Sequence, residues 1–222
     1  PGPSSRAELR AITQEERELL AHAKKVIDDL IEQRFAEKKY SREVYDNAKR
    51  DAYRNLEFWA TNEDIHRLSP ATRSAIFNAI REERWAHLVE VFRQDITFGT
   101  AGIRGLAAMT IAELKRLKAE GPGAEILKGP NTINDIVLLL KTAGVIHYMR
   151  KKGMHKIAIG YDSRIAGAEF AEMIAKAFLG ASTPEHSFQI FLFDSPSPFP
   201  ELTFGLTTKS VRADMGILIS AS

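Results

Sequence analysis

The sequence predicts an α/β protein: a three-layer α/β/α sandwich on a mainly parallel sheet, preceded by an all-helical N-terminal extension. Three observations lead there. Residues 6 to about 92 show helical periodicity only. From about Thr97, the apolar runs Lys156–Tyr161, Phe188–Phe193 and Met215–Ser220 alternate with helical stretches, the order expected of an α/β sandwich. Those runs are apolar at nearly every position, which suits strands covered on both faces. The expected boundaries are 1–92 for the extension and 93–222 for the α/β/α domain.

Within the extension, Glu15–Glu37 places Leu19, Leu20, Ala23, Val26, Ile27, Leu30 and Ile31 at helical spacing. Ser41 is positioned to cap a second helix running to about Trp59. Ser69-Pro70 reads as a third start, because serine caps and proline suits the first turn. That helix carries Ala75, Ile76, Ala79 and Ile80 on one side. A further helix from about Glu82 to Arg93 presents Trp85, Leu88, Val89 and Phe92. These stripes are expected to pack as core.

In the second half, Thr132–Lys151 is apolar on most sides and meets Gly153, a suitable cap. Ala166–Leu179 carries Phe170, Ala171, Ile174, Ala177 and Phe178 and then meets Gly180. A shorter helix spans Pro200 to about Lys209. The stretch 106–130 interrupts the pattern with a basic helical piece, Ala112–Glu120, followed by Gly121-Pro-Gly123.

Composition excludes several classes of function. The net charge of +2 is too near neutral for a nucleic-acid binder. No stretch approaches the roughly 20 apolar residues of a membrane helix, and Pro1–Ser5 has no apolar core behind it to make a secretory leader. The chain has no cysteine, which removes disulfides, thiolate catalysis and cysteine-ligated zinc. His22, His66, His87, His147, His155 and His186 show no metal-binding spacing. A cytoplasmic location is expected.

Each strand ends in polar residues: Asp162-Ser163-Arg164, Asp194-Ser195-Pro196-Ser197-Pro198 and Ser220-Ala221-Ser222. Open α/β sheets bind ligands beyond the carboxyl ends of their strands, although turns favour Asp, Ser and Pro for conformational reasons alone. A fourth segment, Thr97-Phe-Gly-Thr-Ala-Gly-Ile-Arg-Gly105, spaces its glycines Gly-x-x-Gly-x-x-Gly. Its backbone N–H groups can approach an anion, and Arg104 adds a forked cation suited to phosphate oxygens. It matches neither the dinucleotide fingerprint nor a P-loop. Taken singly, the motif is weak evidence, and a structural turn is its more common explanation.

Taken in order, Thr97–Gly105, Ile159-Gly-Tyr-Asp-Ser-Arg164 and Gly216-Ile-Leu-Ile-Ser-Ala-Ser222 resemble the α-D-phosphohexomutase family, which includes phosphoglucomutases and phosphomannomutases. The Phe-Gly-Thr-Ala-Gly opening is most similar to the phosphoglucomutase/phosphopentomutase-like branch. The resemblance covers about residues 90–222, the family's first domain. The lead-in Trp85–Phe92 is similar to that branch's N-terminal extension.

The resemblance implies a phosphoserine mutase that interconverts sugar 1-phosphate and 6-phosphate, or 5-phosphate, through a bisphosphate. Ser220-Ala221-Ser222 matches the start of the family's Thr/Ser-Ala-Ser-His-Asn-Pro signature, so Ser222 is the implied phosphoserine. Ser222 and Arg104 are then catalytic. Thr100, Gly102, Arg104, Asp162 and Arg164 are implied to bind substrate or phosphate. Mg²⁺ is implied to bind Ser222 through its phosphate, and a glucose 1,6-bisphosphate-type activator to load the serine. The implied partners are a sugar phosphate and the remaining domains of the same enzyme, with no nucleic acid and no membrane; oligomeric state is left open. Pro196-Ser197-Pro198 fits the family's Pro-Thr-Pro turn in outline, a structural role.

The chain departs from the family after Arg104-Gly105. Asn131 and Asn134 stand at the asparagine positions of an Asn-Arg-x-Asn motif, with Thr132 in place of the arginine. The Asp-x-Asp-x-Asp metal loop of the second domain is not in this sequence, so a piece of a longer enzyme is expected. The rival expectation is a noncatalytic phosphate-binding regulatory or scaffold protein on the same fold.

Overall fold

The computed structural model describes residues 11–99 and 102–220, the side chain of Phe98 excepted. The chain forms two units. The first holds the described residues up to Met109 together with Glu125–Thr132; the second holds Thr110–Ala124 and the described residues from Ile133 onward.

In the first unit, α1 (Gln14–Ala36) opens with a capping box: Thr13 accepts from the Glu16 N–H, and the Glu16 carboxylate accepts from the Thr13 N–H. Helix α2 (Arg42–Thr61) is capped by Ser41 as expected. Helices α3 (Glu63–Leu68), α4 (Ala71–Arg81) and α5 (Trp85–Phe92) follow. Helices α2, α4 and α5 pack with α1 and with one another. They bury Ile27, Ile31, Leu56, Ile76, Phe77, Leu88 and Phe92.

Two helix starts differ from expectation. Ser69 does not cap α4; it ends α3, and its hydroxyl accepts from the Nζ of Lys128, which is 1% exposed. A buried ammonium needs acceptors, and that demand takes the hydroxyl. Helix α5 begins at Trp85 rather than near Glu82, because Glu83 turns left-handed (φ 53°) between α4 and α5. A short hairpin follows, pairing β1 (Phe98–Gly99) antiparallel with β2 (Gly102–Ile103).

In the second unit, α6 (Ile111–Glu120) is capped by Thr110 and ends in a 3₁₀ turn, Gly121–Gly123. Helix α7 (Asp135–Lys152) stops at Gly153 in the left-handed conformation. The strands β3 (Lys156–Tyr161), β4 (Gln189–Leu192) and β5 (Met215–Ile219) form a parallel sheet of order β4-β3-β5, connected through α8 (Gly167–Ala181) and α9 (Phe199–Thr207). Gly180 lies inside α8 rather than stopping it; the end comes at Ser182, whose hydroxyl donates to the Phe178 carbonyl and accepts from the Phe188 N–H.

The period-2 alternation of β3 builds the layers. Ile157 and Ile159 join Ala171, Ile174 and Phe178 of α8, with Ile146 and Met149 of α7, in one apolar cluster. Gly160 and Gly216 face Leu202 of α9 on the opposite side. The domain is therefore an α/β/α sandwich. Residues 157–160 are buried, whereas β4 and β5, each with one neighbour among the described residues, are half-covered. No helix among the described residues is long and apolar enough to cross a membrane.

Two predictions follow from this packing. Asp214 accepts from the N–H groups of Lys156 (2.9 Å) and His155 (2.8 Å), tying the start of β5 to that of β3. These bonds, Lys156 first, hold its carboxyl below the ordinary range. A depressed folded pKa contributes stability above the unfolded pKa and loses it as pH falls through the folded value. Asp214→Ala should thus cost about 1 kcal/mol at neutral pH, and the gap to wild type should close as the pH of the urea titration falls below about 4. In the first unit, a Cβ on Gly129 would stand 2.4 Å from Val91 Cγ1 and 2.7 Å from Phe92 Cε1. Gly129→Ala should destabilise that unit by about 1–3 kcal/mol through overpacking, measured by chemical denaturation.

Candidate functional site

The carboxyl edge of the second unit's sheet gathers the polar turns. The Asp162 N–H donates to the Ile219 carbonyl (3.0 Å), joining the end of β3 to that of β5. The Ser197 N–H donates to the Tyr161 carbonyl (2.9 Å), drawing the turn after β4 to the same edge. Ser197 is buried (4% exposed), and its hydroxyl has no hydrogen-bond partner among the described residues. Ser195 donates to Asp194.

Asp162 organises its own turn. One carboxylate oxygen accepts from the Arg164 N–H (3.1 Å), and the other pairs with Arg164 Nε at 3.2 Å. Ala166 then adopts the left-handed conformation (φ 61°), and α8 starts at Gly167, where a Cβ would lie 3.0 Å from the Asp162 carbonyl oxygen. The pair is partly exposed, so the charge attraction contributes under about 1 kcal/mol. Its effect is geometric: it presents a guanidinium at the sheet edge. Strand β5 delivers Ser220 to this edge. Ser222, two residues on, lies outside the described residues, as does Thr100.

Arg104 belongs to the first unit, directly after β2. Gly102 takes φ +115°, a conformation that side chains rarely adopt, and this lets the hairpin close. Arg104 is exposed and has no hydrogen bond or ion pair among the described residues. It borders a recess of ≈ 210 Å³ shared with Leu106, Glu90, Arg93, Gln94 and Asn131. Arg93 is held by Glu90 in a two-bond pair, 3.0 Å each. Arg104 is therefore the recess's unpaired cation among the described residues, a fit for a small anion.

The two asparagines singled out in the sequence separate. Asn131 lines this recess, whereas Asn134 is 2% exposed and caps α7, accepting from the Val137 N–H. Asp162 and Arg164 meet directly. Glu90, Arg93 and Gln94 were not expected at a site; an acid and a base three apart, Glu90 and Arg93, at a helix end was the available signal. Among the described residues no three His, Asp or Glu side chains converge as metal ligands.

The family model for phosphoglucomutase/phosphomannomutase, alpha/beta/alpha domain I, matches residues 118–222. A phosphoglucosamine mutase of Desulfovibrio desulfuricans is 30% identical over 128 residues, covering 58% of this chain and 22% of the relative. One of Chlamydia caviae is 32% identical over 127 residues, 56% of this chain and 21% of the relative. A phosphoglucomutase of Staphylococcus aureus is 28% identical over 134 residues, 60% of this chain and 20% of the relative. The match thus spans about a fifth of the length of these curated relatives. No solved structure gives a significant match.

Asn134→Ala should cost about 1 kcal/mol, the worth of a helix N-cap, read as a lower midpoint in thermal unfolding; an unchanged midpoint would remove the cap assignment.

Proposed function

We infer that this chain is the N-terminal part of an α-D-phosphohexomutase, an enzyme that moves a phosphoryl group between two hydroxyls of one sugar; the match of residues 118–222 to the model of that family's first α/β/α domain supports the reading. The observation carrying the reading is the parallel sheet that takes the Asp162–Arg164 turn and Ser220 to a common carboxyl edge, with Ser222 two residues further along the chain.

In this reading Ser222 carries the phosphate. A sugar hydroxyl attacks phosphorus in line, the bond to Ser222 Oγ breaks as the new P–O bond forms, and the proton lost by the sugar hydroxyl is made up at Ser222 Oγ, which leaves as a neutral hydroxyl. The resulting bisphosphate turns over and returns its other phosphate to Ser222. Phosphoryl transfer asks mainly for positioning and for cations or N–H groups at the phosphate oxygens. Arg104 and Gly102 of the first unit are proposed to bind phosphate, and so, by itself, is Arg164 of the second, fixed by Asp162. Mg²⁺ is proposed to bind the Ser222 phosphate with carboxylates from outside this chain, and a glucose 1,6-bisphosphate-type activator to reload the serine. The substrate is a hexose or pentose phosphate in the branch that the Phe98–Gly102 motif suggests; the relatives' names add a hexosamine phosphate. A cytoplasmic location goes with this reading.

Intact-mass measurement after incubation with glucose 1,6-bisphosphate and Mg²⁺ tests the assignment. A gain of one phosphate, absent from Ser222→Ala, is expected; labelling that survives the substitution overturns it.

A further inference from the structure

The recess beside Arg104 is floored by a closed ring of hydrogen bonds. Arg93 donates from Nε and Nη2 to the Glu90 carboxylate and from Nη1 to Gln94 Oε1 (3.0 Å each). Gln94 Nε2 donates to Asn131 Oδ1 (3.2 Å). Asn131 Nδ2 closes the circuit on Glu90, at 2.8 Å to its carbonyl and 3.4 Å to its carboxylate. The ring joins the last turn of α5 to a segment 37 residues away in sequence.

This junction also settles the carbonyls that every helix leaves open at its C-terminus. The Glu90 carbonyl takes the Asn131 side chain, the Val91 carbonyl takes the Asn131 N–H (3.1 Å), and the Phe92 carbonyl takes Asn55 Nδ2 (3.0 Å). Asn131 thus caps α5 twice, and segment 130–132 is docked as part of the helix end. The same segment holds both feet of the loop that carries Arg104. Before the loop, the Ile96 N–H donates to the Pro130 carbonyl (2.8 Å); after it, Leu106 pairs with Thr132 in a parallel bridge. Gly129, which tolerates no Cβ against Val91 and Phe92, keeps the approach close.

We propose that the Glu90–Arg93–Gln94–Asn131 ring is a positioning device for Arg104: it fixes segment 130–132, and through the bonds at Ile96 and Leu106 it sets where the guanidinium stands when phosphate binds. The proposal rests on the reading of Arg104 as a phosphate-binding group. Charge supports it, because Glu90 neutralises Arg93 within the ring and leaves Arg104 as the recess's net positive charge. In this proposal Asn131 acts by holding segment 130–132 in place rather than as a phosphate ligand.

The test is titration of the 222-residue chain with inorganic phosphate, followed at the Arg104 Nε–H and Gly105 amide resonances. Wild type should shift saturably. Asn131→Ala should bind about tenfold more weakly, the worth of one charge-assisted hydrogen bond at the anion, and its Arg104 Nε–H signal should differ from wild type before phosphate is added. Where Asn131→Ala unfolds the first unit, Gln94→Ala opens the ring at its far side, leaves the Asn131 bonds to α5 in place, and is read in the same way. A ring that served stability alone would lower the unfolding midpoint and leave the folded protein's phosphate affinity unchanged; that outcome, with Arg104→Ala still abolishing binding, overturns the positioning role and spares the phosphate site. If wild type and Arg104→Ala respond alike, the phosphate site itself is wrong and the inference falls with it.

Discussion

The second unit depends on β3 pairing in parallel with β4 on one side and β5 on the other. A parallel sheet sends every strand's carboxyl end to the same edge, so the turns after the strands are collected without further design. Register matters as much as direction. The pairing of Tyr161 with Ile219 lets the Asp162 N–H reach the Ile219 carbonyl. A one-residue slip of β5 would exchange the faces of Ile217 and Leu218, sending one away from the α8 cluster and the other away from α9. The core on both faces therefore guards the position of the polar edge.

The first unit solves a different problem. A glycine-rich hairpin has little apolar surface with which to hold an arginine in place, and its glycines raise the entropy to be overcome. Here the end of a short helix performs that task. The open carbonyls of α5 recruit Asn131, and the segment so recruited pins the hairpin on both flanks. The N-terminal helices are then more than an appendage: α2 contributes Asn55 to the same helix end.

What could be read from the sequence follows the range of the interactions. Lys156–Tyr161 was legible because its apolar run and flanking turns are local, and the structure places the strand on those residues. Ser41 was legible as a cap for the same reason. Ser69 carried the same local signal and was claimed instead by Lys128, 59 positions away, which no periodicity reports. Asn131 and Asn134 are chemically identical in sequence; only the fold tells a recess wall from a helix cap. Asp162 and Arg164 were found as a pair because a two-residue spacing suffices to join them. The Glu90–Asn131 link, 41 positions apart, lay beyond any such pattern.

Through-hydrogen-bond NMR couplings test the central geometry most directly. Couplings from the Asp162 amide nitrogen to the Ile219 carbonyl carbon, and from Ser197 nitrogen to the Tyr161 carbonyl carbon, are predicted. Couplings that pair Asp162 with a neighbour of Ile219, or an antiparallel pattern between β3 and β5, would contradict the shared polar edge.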